Sequence, residues 1–263
     1  MLHIASSHLD SPRWVEIQLR ALREHIAVPF TTWTSLPAGR AALGERFDHV
    51  IEQKGPLAGR LNHLAVEVAH AAAPEDLLMF LAPDAFPVAD PMPAIEQALG
   101  RAPLLAARRP AAAGDPQPQH CFCVTTVGTW RSLRGDWTDG PPWTRADGRR
   151  VTDVGANLLH RLQASGTPWI PVERSDPARL DPVFFAVYGG IVYHHGGGAL
   201  TAAHRAHGQQ PAVVRRRPRL ARLARERDRL TEWRLLRRMA GTSQRLYEQI
   251  SAGGNGWLAE LQR

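Results

Sequence analysis

Five apolar residues in a row, Leu77-Leu78-Met79-Phe80-Leu81, closed by Pro83 and Asp84, place the tightest constraint on how this chain folds. A run that short, apolar on both alternating faces, reads as a strand covered from above and below. The flanking sequence supplies the covering layers. His3 to Ser6, Phe30 to Thr34 and Phe47 to Ile51 read as further short strands. Trp14, Ile17, Leu19 and Leu22 recur at helical spacing, as do Leu61, Leu64, Ala65 and Val68 ahead of Pro74. Strands alternating with helices predict an α/β fold, a mostly parallel, Rossmann-like sheet flanked by helices.

Beyond Asp90 the alternation loosens. Pro91 to Leu99 reads as a short helix, Leu104 to Ala107 as a strand and Pro110 to Gln119 as a Pro/Gly-rich loop. Phe122 to Val127 is β-like, and Gly135 to Arg150 is polar and turn-rich. A helix is expected through Leu158, Leu159 and Leu162, with Asp153 near its start, and Phe184 to His195 is aromatic and β-branched before three glycines. From Val213 an arginine-rich amphipathic pattern begins, with a second helix from Thr242 to Ile250. The expected organisation is a body, 1–212, with a helical extension, 213–263.

The net charge of +7 is not spread evenly. Residues 1–212 carry 19 basic against 20 acidic side chains, and residues 213–263 carry 13 against 5. The near-neutral body argues against nucleic acid as a partner, which calls for a wider basic footprint. Lys54 is the only lysine beside 31 arginines, a ratio that points to a GC-rich genome rather than to a demand for guanidinium chemistry. Cys121 and Cys123 are too few for a disulfide framework, and no apolar run is long enough for a membrane span. The expected location is the cytoplasm. The extension is expected to pack on the body or on a second copy of the chain; the inner face of the membrane is the other candidate surface, because a basic amphipathic helix can lie on anionic lipid.

Several chemistries fail on their motifs. There is no phosphate-binding G-x-x-x-x-G-K-[ST] loop and no G-x-G-x-x-G after a strand. His195-Gly196-Gly197-Gly198 matches an oxyanion motif, yet no G-x-S-x-G elbow accompanies it. His120-Cys121-x-Cys123 lacks the paired spacing of a zinc site. Four segments remain. Asp84 follows a buried strand at the sheet edge where ligands bind open α/β folds. Tyr193-His194-His195 before the glycines offers an imidazole, and strand alternation lets only one of the two histidines reach a given site. Asp153, in Thr152-Asp153-Val154, either caps a helix or serves as a general base. Lys54 to Asn62 places Lys54, Arg60 and Asn62 at the start of a helix, the end that attracts anions.

In this order the four segments resemble the GT-A-type nucleotide-diphosphosugar glycosyltransferases, over roughly residues 2–200 and including that family's bacterial members. The resemblance implies a GT-A-like fold and transfer of a sugar from a nucleoside-diphosphate sugar to an acceptor hydroxyl, with Mn²⁺ or Mg²⁺ as cofactor. Leu81-Ala82-Pro83-Asp84 is similar to the end of the family's Asp-x-Asp strand, which implies that Asp84 holds the cation and contacts the donor. His194 or His195 is implied as the completing metal ligand; His194 is favoured because it stands two residues before the glycines. Asp153 is implied as the base. Ser6 and Ser7, with Lys54, Arg60 and Asn62, are implied to face the donor nucleotide. The acceptor is a small molecule, a glycan or a lipid-linked sugar. Ala82 stands where the family often has its first aspartate. That departure motivates the alternative of a degenerate, non-catalytic sugar-nucleotide or glycan-binding protein whose basic tail contacts a membrane or a partner.

Overall fold

The computed structural model describes residues 1–8, 12–36, 41–109, 115–144, 150–177, 184–196, 240–254 and 256–262. The strands are β1 (Leu2–Ser7), β2 (Phe30–Leu36), β3 (His49–Glu52), β4 (Leu77–Leu81), β5 (Ala85–Pro87), β6 (Leu104–Ala107), β7 (Gln119–Thr126), β8 (Trp143–Thr144), β9 (Arg150–Val151), β10 (Ile170–Val172), β11 (Ala186–Tyr188) and β12 (Val192–His194). The helices are α1 (Val15–His25), α2 (Ala41–Gly44), α3 (Leu57–Ala71), α4 (Met92–Leu99), α5 (Val127–Ser132), α6 (Ala156–Ala164), α7 (240–251) and α8 (Gly256–Gln262). None of the described helices is long and apolar enough to cross a membrane.

Seven strands form the main sheet in the order β10-β6-β7-β4-β1-β2-β3. All neighbours are parallel except β7, which runs antiparallel to both β4 and β6. The expected mostly parallel α/β architecture is therefore present, with one reversed strand inserted in its middle. β4 lies at the centre, between β1 and β7, which accounts for its apolar run. Met79 and Leu81 face a core shared with α1 and α4 (Leu19, Leu22, Ile95), whereas Leu78 and Phe80 face one shared with α3 and α6 (Leu61, Leu64, Leu158).

Because β1, β2 and β4 are parallel, the helices between them run back down the sheet. The first turns of α1 and α3 therefore sit at the same rim as the carboxyl ends of those strands. The sheet-facing stripe of α3 is Ala58, Arg60, Leu61, Leu64, Ala65 and Val68, so a charged Arg60 occupies its rim end.

A second, three-stranded sheet, β11-β12-β5, stands beside the first. Its outer face is closed by the C-terminal helices. Leu246, Ile250, Trp257 and Leu261 are buried against Trp14, Ile17, Phe86, Phe185 and Tyr193. Arg20 of α1 donates to the carbonyl oxygens of Ile250 at 2.7 Å and Ser251 at 3.3 Å, placing a cation at the end of α7 where helix carbonyls lack partners. The described part of the expected extension thus shares a core with the body. The arginine-rich stretch before residue 240, read from the sequence as an amphipathic helix, lies outside the described residues.

Candidate active site at the sheet rim

After β4 the chain turns sharply through Pro83 and Asp84. The Ala85 amide donates to the Ala82 carbonyl at 3.0 Å, and Ala82 remains tied to β7 through the Cys121 carbonyl. β5 then pairs with β12, setting Ala85 opposite His194. The turn is gripped from α1, where the Gln18 amide donates to the carbonyls of Ala82 at 2.8 Å and Ala85 at 2.7 Å. Asp84 is held at only 3% exposure, with its Oδ1 3.5 Å from His194 Nε2. Burial works against charge on the His194 ring, but Cys121 and the Asp84 carboxylate more than offset it and lift the imidazole to about 10.

The adjacent histidines part company here. His194 faces Asp84, while His195 faces the back of the strand and has no exposed surface. Its Nδ1 meets the Tyr193 hydroxyl at 2.9 Å and its Nε2 meets Ser243 Oγ at 2.7 Å. The ring packs against Trp14 and Phe185, with centroids 4.6 and 4.9 Å away. Both nitrogens of His195 are thus engaged within the protein, and of the two histidines it is His194 that lies against Asp84.

Asp153 lies just ahead of α6. Its Oδ1 accepts from the Val154 amide at 2.8 Å, and its Oδ2 lies 3.3 Å from Arg109 Nη1, which also pairs with Asp115 at 2.7 Å. The helix start behind it needs a glycine: Gly155 has φ +91°, and a Cβ there would approach the Pro118 carbonyl to 2.5 Å. Residues 115–120 thus pass close against the start of α6. His120 at their end is pushed down to about 3 by burial and by the charges of His194 and Arg109, against a smaller pull from Asp84. The ring is neutral near pH 7.

At the carboxyl end of β1, Ser6 and Ser7 stand in register with Thr34 and Ser35 of β2. All four are buried, and the hydroxyls of Ser7, Thr34 and Ser35 have no hydrogen-bond partner. Buried polar groups without partners cost about 1–3 kcal/mol each; strand alternation sets Ser7 and Ser35 on the sheet face that α3 covers and Thr34 on the other. Lys54 is exposed at this rim and Arg60 is buried in it. Asn62 is committed elsewhere: its Nδ2 donates to Asp136 at 2.7 Å and its Oδ1 accepts from the Trp137 amide at 2.8 Å.

Sequence reading did not find Gln18, His8, Arg109 or Asp115. His8 follows Ser7 directly, and burial pulls its imidazole down to about 4 even though Gln18 and Asp84 favour the proton. Trp137 is fully buried against Phe80 and Trp130. Among the described residues no cluster of three or more His, Cys, Asp or Glu is arranged to hold a metal ion. Asp84 and His194 provide two ligands of types that suit a divalent cation, leaving other positions to phosphate oxygens and water.

No protein-family model matches the chain, and no curated protein matches it. Solved structures do. A mannosyltransferase from Pyrobaculum calidifontis, PcManGT, in complex with GDP-Man and Mn²⁺, is 14% identical at a TM-score of 0.46, over 68% of this chain and 57% of that one. The glycosyltransferase GlyE of Streptococcus pneumoniae TIGR4 is 15% identical at 0.35, over 50% and 35% of the two chains. TarS of S. aureus is 9% identical at 0.39, over 52% and 30%. The chain therefore spans little more than half the length of the first of these and about a third of the other two.

Proposed function

We propose that the chain is a glycosyltransferase of the GT-A type, which binds a nucleoside-diphosphate sugar at the rim of its main sheet and moves the sugar to an acceptor hydroxyl. The observation that carries this reading is the pairing of Asp84 with His194 at the carboxyl end of β4, beside the unpartnered hydroxyls of Ser7 and Ser35. Asp84 and His194 would hold a divalent cation. When bound, it supplies positive charge against the diphosphate that departs as the sugar–phosphate bond breaks. Ser7, Ser35 and Arg60 stand at the end of the rim where the nucleotide would lie. Asp153, ahead of α6, is the group to take the acceptor's proton, and Arg109 fixes the direction of its carboxylate. Gln18 holds the Asp84 turn in place while the donor binds.

The test is a thermal-shift series with UDP-, GDP- and dTDP-sugars, with and without Mn²⁺ or Mg²⁺, followed by donor turnover. A ligand at 100 times its Kd adds roughly 2.7 kcal/mol of stability, well within detection. A cation-dependent shift with one donor, absent in Asp84→Ala, is the expected result. Asp153→Ala is expected to keep that shift and lose transfer. Full transfer by both variants, or donor binding with no turnover by the wild type, overturns the reading.

A further inference from the structure

β12 presents its two histidines in opposite directions, and both are connected to Asp84. His194 meets the Asp84 carboxylate with its ring, and His195 donates its backbone amide to the Asp84 carbonyl at 3.0 Å. On the other side of the strand, the His195 ring ends on Ser243 Oγ at 2.7 Å. A residue of α7, 48 positions further along the chain, is thus one side chain and one backbone bond away from the carboxylate-bearing turn.

We propose that Ser243 is a positioning residue for the Asp84–His194 pair, acting through His195, so that α7 and α8 are part of the cation and diphosphate site. This rests on the reading of that pair given above. The His195 ring has no exposed surface, and its Nε2 reaches Ser243 Oγ on α7. A buried imidazole left without that partner tilts toward another one, and its backbone carries the shift to His194 and to the Asp84 carbonyl. A cation held by only two protein ligands has little tolerance for such a shift, because ligand geometry must hold to about half an ångström. The rest of the interface is built to keep α7 from drifting. Arg13 lies over the Tyr247 ring at 3.5 Å, and Arg20 grips the carbonyls at the end of the helix.

The experiment is calorimetric titration of Mn²⁺ with each of UDP, GDP and dTDP into the full chain and three variants, alongside melting temperatures. Ser243→Ala is expected to weaken cation-dependent nucleotide binding by about tenfold, the lower end of the effect of groups that orient metal ligands. Ser243→Thr, which keeps the hydroxyl, is expected to stay within about twofold of the wild type and also serves if the alanine variant does not fold. Ile250→Val lowers the melting temperature through the same interface without touching His195, and its affinity is expected to stay at the wild-type value. Ser243→Ala binding as the wild type does, or Ile250→Val weakening binding as much as Ser243→Ala, overturns the positioning role alone. A wild type that binds none of the three nucleotides with Mn²⁺ overturns the functional reading and this inference with it.

Discussion

Gln18 donates to the Ala85 carbonyl at 2.7 Å, and the same amide nitrogen reaches the Ala82 carbonyl at 2.8 Å, so a single side chain of α1 holds both sides of the turn bearing Asp84. Its Oε1 is engaged as well, 3.2 Å from His8 Nε2. The carboxylate is thereby fixed by a neighbouring helix that contributes no ligand of its own. Gln18→Leu keeps much of the volume and strips two buried carbonyls of their donor. A loss of roughly 2–4 kcal/mol is expected from the penalty for unsatisfied buried groups. Urea unfolding measures the loss, and a difference under about 0.5 kcal/mol would show that the turn holds itself.

His8 makes the same turn sensitive to acid. In the unfolded chain its imidazole takes a proton near 6.5, whereas in the folded protein burial delays this until about 4. Between those values the unfolded state binds more protons, so stability falls as the pH drops from 6.5 towards 4. The contribution of this one residue is about 3 kcal/mol. His120, lowered to about 3 for similar reasons, adds to the slope. His8→Asn is expected to flatten the acid side of the melting curve relative to the wild type. An unchanged slope between pH 6.5 and 4 would assign the acid sensitivity to other groups.

Cation binding at the site should likewise strengthen as the pH rises, for a different reason. His194 titrates near 10, so at neutral pH a proton occupies the nitrogen that a cation would need. Cation binding then releases that proton, and apparent affinity rises by up to about tenfold per pH unit below the imidazole's own value. Mn²⁺ titrations with nucleotide between pH 6.5 and 8.5, in two buffers of different ionisation enthalpy, measure both the slope and the released proton. Flat affinity with no proton release would mean that His194 stays protonated and outside the coordination shell.

How much of this was legible beforehand depended on whether the deciding contact was local. The run Leu77 to Leu81 is apolar on both faces because β4 is the central strand, so its character and the place of Asp84 just past its carboxyl end could be read from spacing alone. Alternation along β12 likewise separated His194 from His195. The side that faces Asp84, however, is set by pairing with β5, more than 100 residues earlier. The reversed β7 follows from its position between β4 and β6, which no pattern within Gln119–Thr126 announces. Gln18 reads as one more polar residue in a helix, since its two acceptors lie 64 and 67 positions away. The extension was expected to pack on the body or on a second copy, but the surface it covers could not be read, because Trp14, Phe86 and Phe185 are scattered across the body.

Asn62 separates a donor contact from an internal strut. Its position in the first turns of α3, beside Arg60, suggested that it faces the diphosphate, but both ends of its amide are spent within the protein. Asp136, which receives its Nδ2, also accepts from Asn157 at 2.6 Å and from the Thr138 amide at 2.9 Å, and pairs with Arg161 at 3.2 Å. Although burial favours protonation, these donors hold the Asp136 carboxyl below its usual range. Asn62 thus links α3 to the segment that runs into α6. Asn62→Ala removes one donor from a half-buried carboxylate and the acceptor of the Trp137 amide, a loss of roughly 2–3 kcal/mol. Asn62→Asp is expected to cost more, because it sets a second carboxylate against Asp136. Neither change should alter the affinity for a nucleoside diphosphate measured below the melting transition. A weakened affinity in Asn62→Ala at unchanged stability would instead place this amide on the donor, and the link to Asp136 would then be a contact that the ligand displaces.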